Sequence, residues 1–172
     1  MTGEYGRETD LPASAGAAGA FDLERFFPYR LSVLANTVTR ALAALYQAEH
    51  DLSIAEWRLL AIVARFGPIS ANGVCDRSAM DKVRVSRAVR RAVQRGFVHR
   101  AVDPRDRRRS RLTLTPAGRA IHDRIAALAR DREAQILATL APDEVDRLHD
   151  IISRLQTQAG AYGAADAALD TD

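Results

Sequence analysis

At 172 residues, 47% apolar and 27% charged, the chain is long enough for one globular domain with extra helices, and its composition is that of an ordinary soluble protein. No run of about 18 apolar residues could span a membrane, and no basic-then-apolar leader opens the chain. The lone Cys75 excludes an internal disulfide and a multi-cysteine zinc site. The expectation is therefore a cytoplasmic protein. The net charge of +3 is unevenly divided: residues 77–111 hold thirteen basic side chains against Asp81, Asp103 and Asp106, a net of +10, which leaves −7 for the rest. A compact basic segment on an acidic body is what binding a polyanion requires.

Residues 1–20 are rich in Gly, Ala, Ser and Thr without an apolar period and read as a disordered tail. Pro28 then opens a helix of roughly 35 Å that runs to about His50, with Leu31, Leu34, Ala35, Val38, Leu42 and Leu45 on one stripe. Ser53 and Glu56 have capping-box spacing. The helix they start carries Trp57, Leu60, Ala61 and Ala64, and Gly67-Pro68 stops it. Ser70 begins a short helix through about Arg77 with Val74 and Cys75 inward, and Asp81 caps the next, which Gly96 ends. In that helix Val85, Val89 and Ala92 fall on one face.

Beyond Gly96 the period changes from helix to strand. Residues 97–102 and 111–114 read as two strands, joined by a turn loaded with arginine, 103–109. Thr115-Pro116 launches a helix bearing Ile121, Ile125, Leu128, Ile136, Leu137 and Leu140. Pro142 starts a last one with Val145, Leu148, Ile151, Ile152 and Leu155 on one face. From Gly160 to Asp172 the chain is Ala-rich, closes acidic and reads as a second disordered tail. The fold class is mainly α with a small β-hairpin wing (α+β): a single domain over 21–159, with a winged helix-turn-helix at about 53–115. Helices at about 28–50 and 116–159 flank it.

A short helix, the turn Ser78-Ala79-Met80 and a longer helix make a helix-turn-helix, whose second helix enters the major groove. With Val85, Val89 and Ala92 inward, Val83, Ser86, Arg87, Arg90 and Arg91 turn outward, flanked by Lys82 and Arg84. These types suit the task, because Arg and Lys bond guanine edges and Ser bonds bases or phosphate. An Arg-rich hairpin tip can lie in the adjoining minor groove, whose negative potential attracts guanidinium groups. The helices outside the winged lobe exceed what the lobe needs, and a second copy offers the simplest burial for their stripes.

The stretches SIAEWRLLAIVARFGPISANGVCDRSAMDKVRVSRAVRRAVQRGFVHR and DPRDRRRSRLTLTPAGR resemble the MarR family of winged-helix regulators. The second holds the family's wing pattern, with Asp106 and Arg108 at its acidic and basic positions. The resemblance implies a homodimer in which the first, fifth and sixth helices intertwine, double-stranded operator DNA as partner, and an effector pocket between dimer region and DNA-binding lobe. It also implies repression relieved by a small molecule. The segments PYRLSVLANTVTRALA and AMDKVRVSRAV resemble the subgroup that responds to hydroxycinnamoyl-CoA thioesters or related aromatic acids.

The DNA-contacting set is thus Lys82, Arg84, Ser86, Arg87, Arg90, Arg91, Asp106 and Arg108. Asp106 either holds the Arg108 guanidinium in place or caps the turn. Tyr46 and Trp57 line an effector pocket or simply pack the core. Arg30 pairs with an acid across the dimer or holds an effector's anionic group. Cys75 fits a small buried hydrophobe better than a redox switch. The four histidines lack metal-ligand spacing, no catalytic motif appears, and neither enzyme activity nor a cofactor is expected. A non-specific architectural nucleic-acid binder is the alternative; the ratio of specific to non-specific affinity separates the two.

Overall fold

The computed structural model describes residues 21–102 and 110–169. The expected N-terminal tail, the wing turn with Asp106 and Arg108, and residues 170–172 lie outside the described residues. The chain divides into two units, residues 1–38 and 39–172, and helix α1 (Phe27–His50) contributes to both. In the first unit a turn precedes α1, closed by the Phe26 N–H on the Leu23 carbonyl at 3.2 Å, and the Phe21 and Phe26 rings meet edge to face at 4.9 Å. Its apolar side chains Phe27, Leu31, Val33 and Leu34 are exposed.

The second unit holds α2 (Ile54–Phe66), α3 (Ala71–Ser78), α4 (Lys82–Gln94), the hairpin β1 (Val98–Val102) and β2 (Ser110–Leu114), α5 (Pro116–Leu137) and α6 (Pro142–Leu169). Each helix of the lobe begins as its sequence dictates. Ser53, Ser70 and Asp81 lie in extended conformation and accept from the N–H groups of Glu56, Gly73 and Arg84. Helix α4 ends in a Schellman motif: the Phe97 N–H reaches the Ala92 carbonyl at 2.9 Å and the Gly96 N–H reaches Val93 at 3.0 Å. That closure needs a left-handed residue, and Gly96 supplies it at φ 71°.

The strands pair antiparallel with Arg100 opposite Leu112, and Leu112 also exchanges both backbone hydrogen bonds with Ile69. The hairpin is therefore stitched to the loop before α3, a pairing the sequence pattern did not show. Thr115 fastens the next corner. Its hydroxyl donates to the Gly96 carbonyl at 2.6 Å and accepts from the Gly118 N–H at 3.0 Å. A Cβ at Gly118 would collide with the Phe97 carbonyl oxygen, so only glycine lets α5 approach so closely.

The core sits inside the lobe, where Leu52, Leu59, Leu60, Val74, Val85 and Leu112 are all but fully buried, joined by Ile125 of α5. The buried stripe of α2 is Glu56, Leu59, Leu60 and Val63, with Trp57, Ala61 and Ala64 half-buried on its flank. One expectation needs correction: the tail expected from Gly160 is helical as far as Leu169, because alanine has the highest helix propensity and Gly160 and Gly163 cost only about 1 kcal/mol each against it. Among the described residues no helix is long and apolar enough to cross a membrane.

Candidate nucleic-acid interface

Helix α4 is divided sharply by its sequence. Val85, Ala88, Val89 and Ala92 are buried, while Lys82, Val83, Arg84, Ser86, Arg87, Arg90 and Arg91 are exposed. No acidic residue lies between Lys82 and Gln94. Asp81, the N-cap, spends one carboxylate oxygen on the Arg84 N–H at 2.7 Å and the other on the Arg84 side chain at 3.3 Å. Both partners are exposed, so this pair adds little stability; it does hold Arg84 at the N-terminal rim.

The expected contacts do not share one surface. Lys82, Val83, Ser86, Arg87 and Arg90 line a shallow concavity of about 420 Å³ along the leading face of α4. Lys82, Ser86 and Arg90 also border a cleft of similar volume toward α3 and β1, where Asn72, Gln94 and Arg100 join them. Arg84 and Arg91 stand on the opposite flank, and Arg91 lies 3.7 Å from the buried Glu56 carboxylate. Arg100 was missing from the sequence-derived set. It reaches the cleft from β1, its Nε donating to the Ser110 hydroxyl at 3.0 Å. Strand alternation marks Arg100 only as lying on one of two faces, and the cleft forms only when hairpin and helix pack.

Tyr46 and Trp57 do come together. Their rings stack with centroids 6.0 Å apart, and Trp57 stacks in turn on His122 of α5 at 5.7 Å. Tyr46 is buried, and burial raises its phenol pKa above the usual value, with Arg58 pulling the other way. The three-ring column joins α1, α2 and α5. Arg30 is exposed on the first turn of α1, in the unit of residues 1–38. Cys75 is half-buried beside Val74 and borders the α3–α4 cleft.

A short helix, a turn through left-handed Ala79 at φ 50°, a basic recognition helix and a hairpin stitched beside it define a winged helix-turn-helix. Residues 50–109 match the MarR family. A probable transcriptional regulator from Pseudomonas aeruginosa is 30% identical, with a TM-score of 0.64 over 78% of this chain and 99% of that one. The PcaV transcriptional regulator from Streptomyces coelicolor, solved in complex with its natural ligand, is 26% identical at a TM-score of 0.67 over 81% and 98%. A MarR/EmrR family transcriptional regulator from Acinetobacter sp. ADP1 shares the fold at 21% identity, with a TM-score of 0.75 over 82% and 99%. No curated protein matches the chain in sequence. The chain belongs to the MarR family of winged-helix transcriptional regulators.

Proposed function

We propose that the protein is a homodimeric, sequence-specific repressor that a small-molecule effector releases from its operator. The observation that carries this reading is the outward face of α4, which is basic, polar and short-chained at its leading end and free of acid from Lys82 to Gln94. Lys82, Ser86, Arg87 and Arg90 would meet base edges and phosphates in the major groove, and Arg100 would add a contact from the wing. Arg84 and Arg91 would sit at the groove's edges. At the tip, Arg108 would enter the minor groove with Asp106 holding its guanidinium.

Dimerisation is supported by the apolar side chains left exposed on α1 and α6. The effector reading is supported by the Tyr46–Trp57–His122 column at the meeting of α1, α2 and α5, and by PcaV, which carries its natural ligand. Stacked rings suit an aromatic acid or a hydroxycinnamoyl-CoA type thioester, and Arg30 would meet an anionic group of the ligand or an acid of the partner copy.

A salt titration of operator binding followed by ligand addition tests the reading. With about eight phosphates neutralised by the two subunits, log K should fall against log salt with a slope near roughly −7. A panel of aromatic acids and their CoA thioesters should include one that weakens binding at least about fivefold. A slope shallower than about −2 would remove the basic face from the interface. Equal affinity for operator and random DNA would instead favour the architectural alternative.

A further inference from the structure

Glu56 is 1% exposed and is the sole charged side chain buried among the described residues. A capping box does not demand this, because one oxygen reaching back to the N-cap closes it. Here Oε2 does so, accepting from the Ser53 N–H at 3.0 Å and the Ser53 hydroxyl at 2.6 Å. The other oxygen, Oε1, has no hydrogen-bond partner among the described residues.

Facing the carboxylate are two guanidinium groups one turn apart, from Arg91 in the last turn of α4 and from Arg95, its C-cap. Arg91 Nη1 lies 3.7 Å from Oε2, and Arg95 Nη1 lies 3.7 Å from Oε1. Arg95 is itself anchored: it donates to the His50 and Asp51 carbonyl oxygens at 2.6 and 2.7 Å and lies over the Phe97 ring at 4.9 Å. Asp51, Glu56, Arg91, Gln94 and Arg95 line a small open pocket of about 210 Å³.

A buried carboxylate stripped of its countercharge is strongly unfavourable. Any rotation of α4 about its axis that carries Arg91 and Arg95 away from Glu56 is therefore opposed. The same rotation decides what the helix shows to DNA. At about 100° per residue, Val83, Arg87 and Arg90 point away from the buried stripe, whereas Arg91 and Arg95 share one flank.

We propose that Glu56 is a positioning residue for DNA recognition. Through Arg91 and Arg95 it holds α4 at the rotation that presents Lys82, Ser86, Arg87 and Arg90 to the major groove, and Arg91 serves this tie in place of a base contact. The inference rests on the DNA-reading function proposed above.

The test uses the full chain and a duplex that the wild type selects from a random library, alongside a scrambled duplex. Glu56→Gln keeps the capping box, which Gln also closes, and removes the charge. Loss of a negative charge by itself strengthens binding to any DNA, so a fall confined to the selected duplex reports lost positioning. The expected result is a drop of at least about fivefold in the selected-to-scrambled affinity ratio, with the scrambled duplex bound as tightly as before or more tightly. Arg91→Ala, at a side chain 66% exposed, should lower the ratio similarly, and the double variant should lower it no further.

An unchanged ratio in folded Glu56→Gln overturns the inference. So does an Arg91→Ala variant that weakens both duplexes equally, as loss of a phosphate contact would. If Glu56→Gln does not fold, Arg91→Ala decides alone on the same two outcomes. A wild type that selects no sequence overturns the DNA-reading function, and the inference with it, a result distinct from any obtained with the variants.

Discussion

The lobe from Ser53 to Thr115 and the helix α6 dispose of their apolar residues in opposite ways. In the lobe Leu59, Leu60, Val74 and Leu112 have no measurable exposure, and what reaches the surface of α4 apart from Val83 and Val93 is polar or charged. On α6 Ile151, Ile152 and Leu155 are 48%, 41% and 41% exposed. One region closes its core within a single chain and offers charge outward. The other presents an amphipathic stripe that the described residues leave open, as a surface that pairs with a partner would. Under the proposed function the labour divides along the same line: reading DNA would fall to the self-contained lobe, and pairing to the open helices.

The largest expected effect strikes the lobe's closure. Leu112→Ala removes a fully buried side chain at the point where the hairpin meets Ile69 of the loop before α3, and should cost about 2–5 kcal/mol by denaturant unfolding. A loss under about 1 kcal/mol would mean that the wing is not part of the core. The matching change on α6, Ile152→Asp, should leave the lobe's fold intact while raising the dimer dissociation constant roughly thirtyfold. Sedimentation at micromolar concentration should then move toward the 18.8 kDa monomer, and an unaltered dimer would place the interface elsewhere.

Smaller effects sharpen the DNA-facing side. Arg87→Ala, on the exposed face of α4, should weaken operator binding by about 1–3 kcal/mol and change stability by no more than about 0.5 kcal/mol. Asp106→Ala is informative through its sign. It adds net positive charge, so a purely basic wing would bind tighter, whereas a wing that depends on Asp106 to hold Arg108 would bind weaker at fixed salt.

The smallest effect concerns Tyr46. Its folded pKa is raised by burial, so the native state holds the phenol proton more tightly than the unfolded chain does. This contribution is complete below the unfolded value of 10.0 and is lost as pH rises through the folded one. Tyr46→Phe should therefore flatten the decline of stability above about pH 10. An identical alkaline limb in the variant would exonerate the phenol.

Local chemistry made much of this legible in the sequence. Ser53, Asp81 and Gly96 mark helix ends through residues one to three positions away, and each behaves in the structure as its type requires. The inward set Val85, Val89 and Ala92 was readable from period alone, and with it the outward basic face. What escaped depends on distance along the chain. Glu56 and its two arginines are separated by 35 and 39 residues, so the capping box was visible and its second task was not. Arg100 joins the cleft only once hairpin and helix have packed, and the Ile69 bridge joins a loop to a strand more than forty residues later. The last turns of α6 were misread because an Ala-rich segment has the composition of a tail and the propensity of a helix.

Lobe and open helices make one joint claim: two copies pair, and each lays an α4 face into DNA. Footprinting on a duplex selected by the wild type reads both halves of it at once. The expected result is a pseudo-palindromic site protected over two half-sites about one helical turn apart, roughly 10 bp centre to centre or a multiple of it, with selected DNA bound at least about 10³-fold more tightly than random DNA. A single asymmetric half-site would contradict the pairing, and selection that enriches no sequence would contradict the reading of DNA by α4.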